Sequence, residues 1–478
     1  MLFNSFPFAI LLAATFFCYY FLFKNFQVLI LIIASSVFYA YHRPALLSLL
    51  IISICINAVS SFFTAHRKCP LVYAVIGVSA NIGILLLFKY NQLLFAQLNL
   101  EFAGKNLGNY LLTLPLPIGI SFFTFQGISL VIDVYRSRKN PRGENILRFE
   151  SFRTNLFQTA FFISFFAQLI AGPIVKANHF MPQIMQKQLS RVKWRNILKT
   201  AILGYFFKMV IADNLKDYTF WIAYPYFENF SSLSLIVILG AFSMQIFADF
   251  AGYSCIAIAL GSLFGYELPI NFNYPYLARS FSEFWQRWHI SLSAWLRDYL
   301  YIPLGGNRKG HVRTYINIFI VMILGGLWHG AAWSYAVWGL WHGAALILER
   351  IFMHSSRGKR GYVPLRILGV FSYVTLGWLL FKLPEFSHVI RYVKAVMFNM
   401  NRDHHYPSLY GAILFSTPVL LYYFRKILKN GQSSGVARSG KADSLFLSIF
   451  NEELVYALLL AGIIINSGEP GAFIYFQF

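Results

Sequence analysis

Apolar runs of about twenty residues recur along this chain, and one helical crossing of a bilayer needs ~20 residues. Residues 1–23 carry no charge at all, and comparable runs fill 45–64, 70–88, 233–248 (continuing toward 262) and 364–382. Read by hydropathy, about ten to twelve such runs are expected to span. A soluble domain carries about a quarter charged residues. Here 12% of 478 residues are charged, 58% are hydrophobic, and the mean hydropathy is +0.57. The expected fold is an all-α polytopic membrane protein. It forms one integral-membrane domain over 1–478, with re-entrant or interfacial helices beside the spans.

The first run lacks a basic start and a small-residue cleavage site, and Lys24 follows it rather than precedes it. It reads as a first membrane helix, not a cleaved signal. Cys18, Cys55, Cys69 and Cys255 are scattered, with no CxxC pair and no ligand spacing, so neither a disulfide nor a metal site is implied. The formal charge of +22 does not indicate nucleic acid, because the basic residues sit in short loops between apolar runs. Such loops face the cytoplasm. The clearest is 136–153, "RSRKNPRGENILRFESFR"; others are 187–199, 353–366 and 425–441. Alternation back from 136–153 puts 66–69 inside and the N-terminus outside. Two basic loops then flank the single apolar run 154–175. A dip returning to the same face resolves this, and "AGPIVKANHFMPQ" (171–183), with two prolines, suits it. Non-helical backbone at membrane depth requires burial in protein or water. The Gly/Ser/Lys-rich stretch 425–444 reads as a flexible loop.

Polar residues concentrate in about 245–350, and ionisable groups inside a membrane domain mark a pathway or a site. The stretch 271–310 is too polar to span. From Ser282 to Tyr299 its spacing predicts a helix. Trp285, Trp288, Leu292, Trp295 and Leu296 form one face, which fits a headgroup-layer anchor. Ser282, Gln286, His289, Ser293 and Arg297 form the polar face. Glu283 and Arg287 are spaced for an ion pair. Pro303 and Gly305-Gly306 end the helix.

The hexamer GLWHGA occurs twice, at 326–331 and 339–344. His329 is flanked by Gly325, Gly326 and Gly330, which admit a close backbone or a substrate. His342 is flanked by Gly339 and Gly343. On one unbroken helix the two imidazoles would stand ~20 Å apart on different faces. At most one then joins His289, unless the chain turns near 333–336; His342 fits a helix-packing motif equally. No Walker A, GxSxG or HExxH pattern is present, nor a metal-spaced cluster. What remains is an imidazole in a small-residue membrane cavity, suited to taking a hydroxyl proton during acyl transfer.

"DFAGYS" (249–254), the whole of 271–310, "GGLWHGAAW" (325–333) and "FIYFQF" (473–478) closely resemble the membrane-bound O-acyltransferase family, in its alginate O-acetyltransferase-like branch. The resemblance runs over nearly the whole chain. It implies a helical funnel passing an acyl group from a cytoplasmic thioester donor to a hydroxyl acceptor. It assigns the family's near-invariant histidine to His329 and a second recurrent polar position to His289. Cys255 stands where that branch often has Asp.

The expected function is transfer of acetyl from cytoplasmic acetyl-CoA, without a bound cofactor, across the inner membrane to an alginate-like or peptidoglycan-type polymer. A periplasmic acetyltransferase partner, the polysaccharide itself and membrane lipid are the expected partners. His329 and His289 are the catalytic candidates. Gln286, Ser293, Arg297, Asp298, Asn307, Arg308, Trp328 and Trp333 are candidates for binding donor or acceptor. Arg308 and Lys309 suit CoA phosphates, and equally a basic cytoplasmic loop. D-alanyl-type transfer, a transporter with inverted repeats and a non-catalytic export subunit are the alternatives.

Overall fold

The computed structural model describes residues 1–91, 101–102, 105–106, 117–140, 147, 149–355, 362–433, 452–469, 471, 473 and 474. Its elements are helices, apart from one two-residue antiparallel pairing of 101–102 with 105–106. Among the described residues five helices are long and apolar enough to cross a membrane: Leu46–His66, Pro70–Lys89, Ser232–Leu263, Gly310–His329 and Val363–Lys382. The first apolar run joins its successor as a pair, Phe6–Leu22 and Lys24–Ala40, bent by 114°. Counting that pair gives six, so among the described residues ten to twelve is not reached. Apolar sequence is also spent on short, broken segments. The run 154–175 is one of them. It forms Phe152–Ser164 and Phe166–Leu169, then irregular backbone through 170–176. Phe161–Val175 is buried throughout, which satisfies the condition for non-helical chain at membrane depth.

The chain divides into two compact units. The first comprises 1–197, 257–270 and 294–303. Polar side chains join its helices where no hydrophobic force between them operates. Asn57 and Asn81 exchange amide hydrogen bonds at 3.2 and 2.9 Å, and Asn155 Nδ2 donates to the Ala58 carbonyl at 2.6 Å. Trp295, assigned above to a headgroup face, is buried here. Its ring stacks on Phe125 at 3.8 Å and its Nε1 donates to the Phe125 carbonyl.

The second unit comprises 198–256, 271–293 and 304–478. Its core includes Phe242, Tyr276, Trp288, Trp338 and Trp378, so Trp288 is a core residue as well. Residues 425–433 are the end of helix Tyr406–Ser433, not loop; 434–451 lie outside the described residues. Parts of the basic loops 136–153 and 353–366, and of the C-terminal motif beyond Ile474, lie outside them too.

Candidate active site

The expected helix over 282–299 is broken in the middle. Ser280 caps Phe281–Arg287, its Oγ accepting from the Glu283 amide, and Glu283 pairs with Arg287 at 2.7 Å as the spacing predicted. Glu349 accepts from the Phe281 and Ser282 amides at the same end. The helix stops because Trp288 is extended and His289 adopts φ 43°. That left-handed conformation is uncommon outside glycine and is held only where neighbours over-determine it. The neighbour is 271–273. The Asn273 amide donates to the Arg287 carbonyl, and the Ile290 amide to the Asn271 carbonyl, each at 3.0 Å. A second short helix, Ile290–Leu296, then begins. The Asn271 side chain fixes this joint. Its Oδ1 accepts from Ser291 Oγ at 2.6 Å and its Nδ2 donates to Ser254 Oγ at 3.0 Å.

His329 reaches the same place from another segment. Helix Gly310–His329 follows the glycine turn, which Asn317 Nδ2 ties back through the Gly306 carbonyl at 2.9 Å. The helix ends at His329 because Gly330 is extended, and Trp333–Ser355 starts after three intervening residues. The doubled hexamer is therefore a helix–turn–helix, turning at 330–332 rather than 333–336, and the unbroken-helix separation does not apply. The glycines serve this hairpin. A Cβ on Gly326 would stand 2.1 Å from the Tyr335 carbonyl oxygen, and one on Gly339 2.2 Å from that of Met322. A Cβ on Gly330 would strike the Tyr335 ring at 2.1 Å. Of the two alternatives, a close backbone or a substrate, what approaches Gly326 is backbone, and what approaches Gly330 is the Tyr335 ring.

The two imidazoles converge. Their ring centroids lie 6.3 Å apart, with His289 1% and His329 4% exposed. Phe250 meets His289 edge-on at 4.6 Å. Trp328 lies 5.9 Å from His289 and 5.0 Å from His329, and Trp338 and Phe381 flank His329 at 5.4 and 5.1 Å. Burial pushes the pKa of His289 down to about 3, so the ring is neutral at pH 7. His329 is the last residue of its helix. His342 lies 4.7 Å from the Trp338 indole, fully buried among Phe284, Trp285 and Tyr373. Neither of its ring nitrogens has a hydrogen-bond partner among the described residues.

The other candidates are dispersed. Trp328 is buried beside both histidines. Ser293 is half-buried one turn beyond His289, its amide donating to the His289 carbonyl. Gln286, Asn307 and Arg308 are exposed, and Trp333 is 70% exposed. The predicted polar face is thus not one surface, because the break rotates His289 inward while Gln286 stays out. Arg297 and Asp298 belong to the first unit. There Asp298 pairs with Lys176 and with Arg297 Nε. Burial opposes its ionisation, yet the guanidinium and the ammonium hold its carboxyl below the usual range. Sequence reasoning missed Phe250, Asn271, Ser291, Trp338 and Phe381, whose roles arise from tertiary neighbours.

Two buried imidazoles thus approach each other within a multi-pass helical membrane protein. The model of the membrane-bound O-acyltransferase family matches residues 110–360. The chain belongs to this family and is an O-acyltransferase. It is 33% identical, over the full length of both chains, to a probable alginate O-acetylase AlgI of Pseudomonas putida. It is 35% identical to a peptidoglycan O-acetyltransferase of Helicobacter pylori, over 77% of this chain and 73% of that one. A teichoic acid D-alanyltransferase of Bacillus subtilis is 27% identical over 57% of this chain and 70% of its own.

Proposed function

We propose that this chain takes acetyl from acetyl-CoA and delivers it to a hydroxyl group for O-acetylation of a cell-envelope polysaccharide. The observation that carries the reading is the convergence of His289 and His329, from separate segments, in one aromatic-walled place. The acceptor oxygen attacks the thioester carbonyl carbon while His329 removes its proton. The C–S bond breaks, and the departing CoA thiolate takes that proton from the imidazolium, leaving ester and free thiol. His289, neutral, donates to the carbonyl oxygen as charge gathers there. Trp328, Trp338 and Phe381 exclude water that would hydrolyse the thioester.

The donor approaches from the cytoplasm, with Arg308 and Lys309 meeting the CoA phosphates. The protein works in a bacterial inner membrane as a single catalytic domain and passes acetyl to a periplasmic acetyltransferase or directly to the polymer. The same imidazole pair would serve D-alanyl transfer. Full-length similarity to an alginate O-acetylase, against partial similarity to a D-alanyltransferase, favours acetyl.

The test is transfer of labelled acetyl in purified membranes, paired with acetyl-CoA binding. His329→Ala is expected to lose ~10²–10⁴-fold in transfer, the worth of a positioned general base, and to keep donor binding. Wild-type transfer by that variant would refute the base. Loss of binding together with transfer would make His329 a donor contact.

A further inference from the structure

The motif "DFAGYS" (249–254) is absorbed only in part by the site. Phe250 faces His289 and Ser254 holds Asn271, but Asp249 touches neither histidine. It belongs to a buried ionic cluster. Lys208 Nζ lies 2.6 Å from Asp213 Oδ1 and 2.9 Å from Asp249 Oδ1, and all three side chains are buried. Gly252 makes this possible. A Cβ there would stand 2.8 Å from both the Gly204 carbonyl oxygen and the Lys208 amide, so the two segments cross with backbones touching.

Two carboxylates and one ammonium leave a negative charge in a dry interior, which is costly unless further donors reach it. The chain's C-terminal segment supplies them. The Ile474 amide donates to Asp249 Oδ2 at 2.6 Å, the Gly471 amide bonds the Asp213 carboxylate, and the Gly471 carbonyl accepts from Lys208 at 3.1 Å. Upstream, the Gly468 amide donates to the Met209 carbonyl at 2.9 Å. Docked this way, Phe473 is buried against Tyr253 at 4.8 Å and Phe250 at 5.6 Å. Phe250 is the ring that meets His289 edge-on.

We propose that Lys208, Asp213 and Asp249 form a latch that holds the C-terminal segment so that Phe473 backs Phe250 and fixes the His289 ring, making Asp249 and Phe473 positioning residues for acyl transfer. The latch grips mainly backbone atoms, so it fixes where the segment lies, and Phe473 transmits that placement. The inference rests on His289 belonging to the site.

The experiment combines hydrogen exchange of the peptide covering 466–474 with kcat and KM for acetyl-CoA, on the full-length protein. Asp249→Asn keeps the side chain's shape but weakens the latch. Exchange over 466–474 should accelerate, and kcat should fall about 10²-fold, the order expected for a misplaced catalytic group, with KM within about twofold. Phe473→Ala leaves all three charges in place and should lower kcat in the same way, and Phe473→Leu should restore most of it. Wild-type kcat with a freed segment, or in Phe473→Ala, would overturn the proposal. So would loss of activity in Asp249→Asn with exchange unchanged. If Asp249→Asn does not fold, the Phe473 pair decides alone. Wild-type protein that transfers no acetyl would defeat the acetyl reading, and the exchange result would still judge the latch.

Discussion

The ring centroids of His289 and His329 lie 6.3 Å apart, tilted by 53°, one from a left-handed break between two short helices and the other from the last residue of a long helix. Neither approach is a regular helix face, so both imidazoles are presented by chain irregularities that the fold must hold in place.

His289 is assigned a neutral role, and its burial makes that testable. The folded pKa of about 3 lies below the unfolded value near 6.5. Stability from this group is therefore complete above pH 6.5 and is lost as pH falls from there toward 3, at about 1.4 kcal/mol per pH unit for the one proton. His289→Gln should remove that proton from the pH dependence of the thermal midpoint in detergent. It should also lower kcat while leaving the acid limb of the rate profile unmoved. A limb that disappears in His289→Gln would show that His289 itself titrates during turnover.

Asn271 is expected to be the residue that keeps His289 in its strained conformation. Asn271→Leu strips partners from two buried hydroxyls, Ser254 and Ser291, at a cost of about 1–3 kcal/mol each where unsatisfied. The thermal midpoint should drop, and kcat should fall more than acetyl-CoA binding weakens. Unchanged kcat in folded Asn271→Leu would remove it from this role.

The long apolar runs were legible because hydropathy over twenty residues depends on composition alone, and 45–64, 70–88, 233–262 and 364–382 all reappear as helices. The run 154–175 was readable only through the topological conflict it created, since a buried irregular segment is as apolar as a span. His289 and His329 stood out as costly polar groups in an apolar setting. Their partners did not. Phe250, Trp338 and Phe381 look like ordinary membrane aromatics until the chain folds them around an imidazole. The 288–289 break was invisible because periodicity on either side is helical, and the conformation is imposed by 271–273 from outside.

His342 shares Trp338 with His329 yet is fully buried among Phe284, Trp285 and Tyr373. His342→Phe should keep transfer within about threefold of wild type, because volume-conserving swaps in a core are tolerated, whereas His329→Phe should abolish it. Complete loss in folded His342→Phe, with acetyl-CoA binding intact, would place the second imidazole in the reaction.

The hairpin that delivers His329 depends on backbones touching where the glycines sit. Placing a methyl on Gly326 brings it to 2.1 Å from the Tyr335 carbonyl oxygen and 3.1 Å from the Gly339 amide nitrogen. Both are main-chain atoms, so no side chain can swing away and the helices must separate. Gly326→Ala should therefore lower the thermal midpoint strongly and abolish transfer together with it. Gly240→Ala provides the contrast, since nothing lies within 4 Å of the added carbon. There the substitution removes a helix-destabilising residue, worth up to about 1 kcal/mol in a helix interior, and activity should be unchanged. If Gly326→Ala folds with a wild-type midpoint but is inactive, the glycine is reserved for substrate after all, and the crowding at Tyr335 is not what sets its identity.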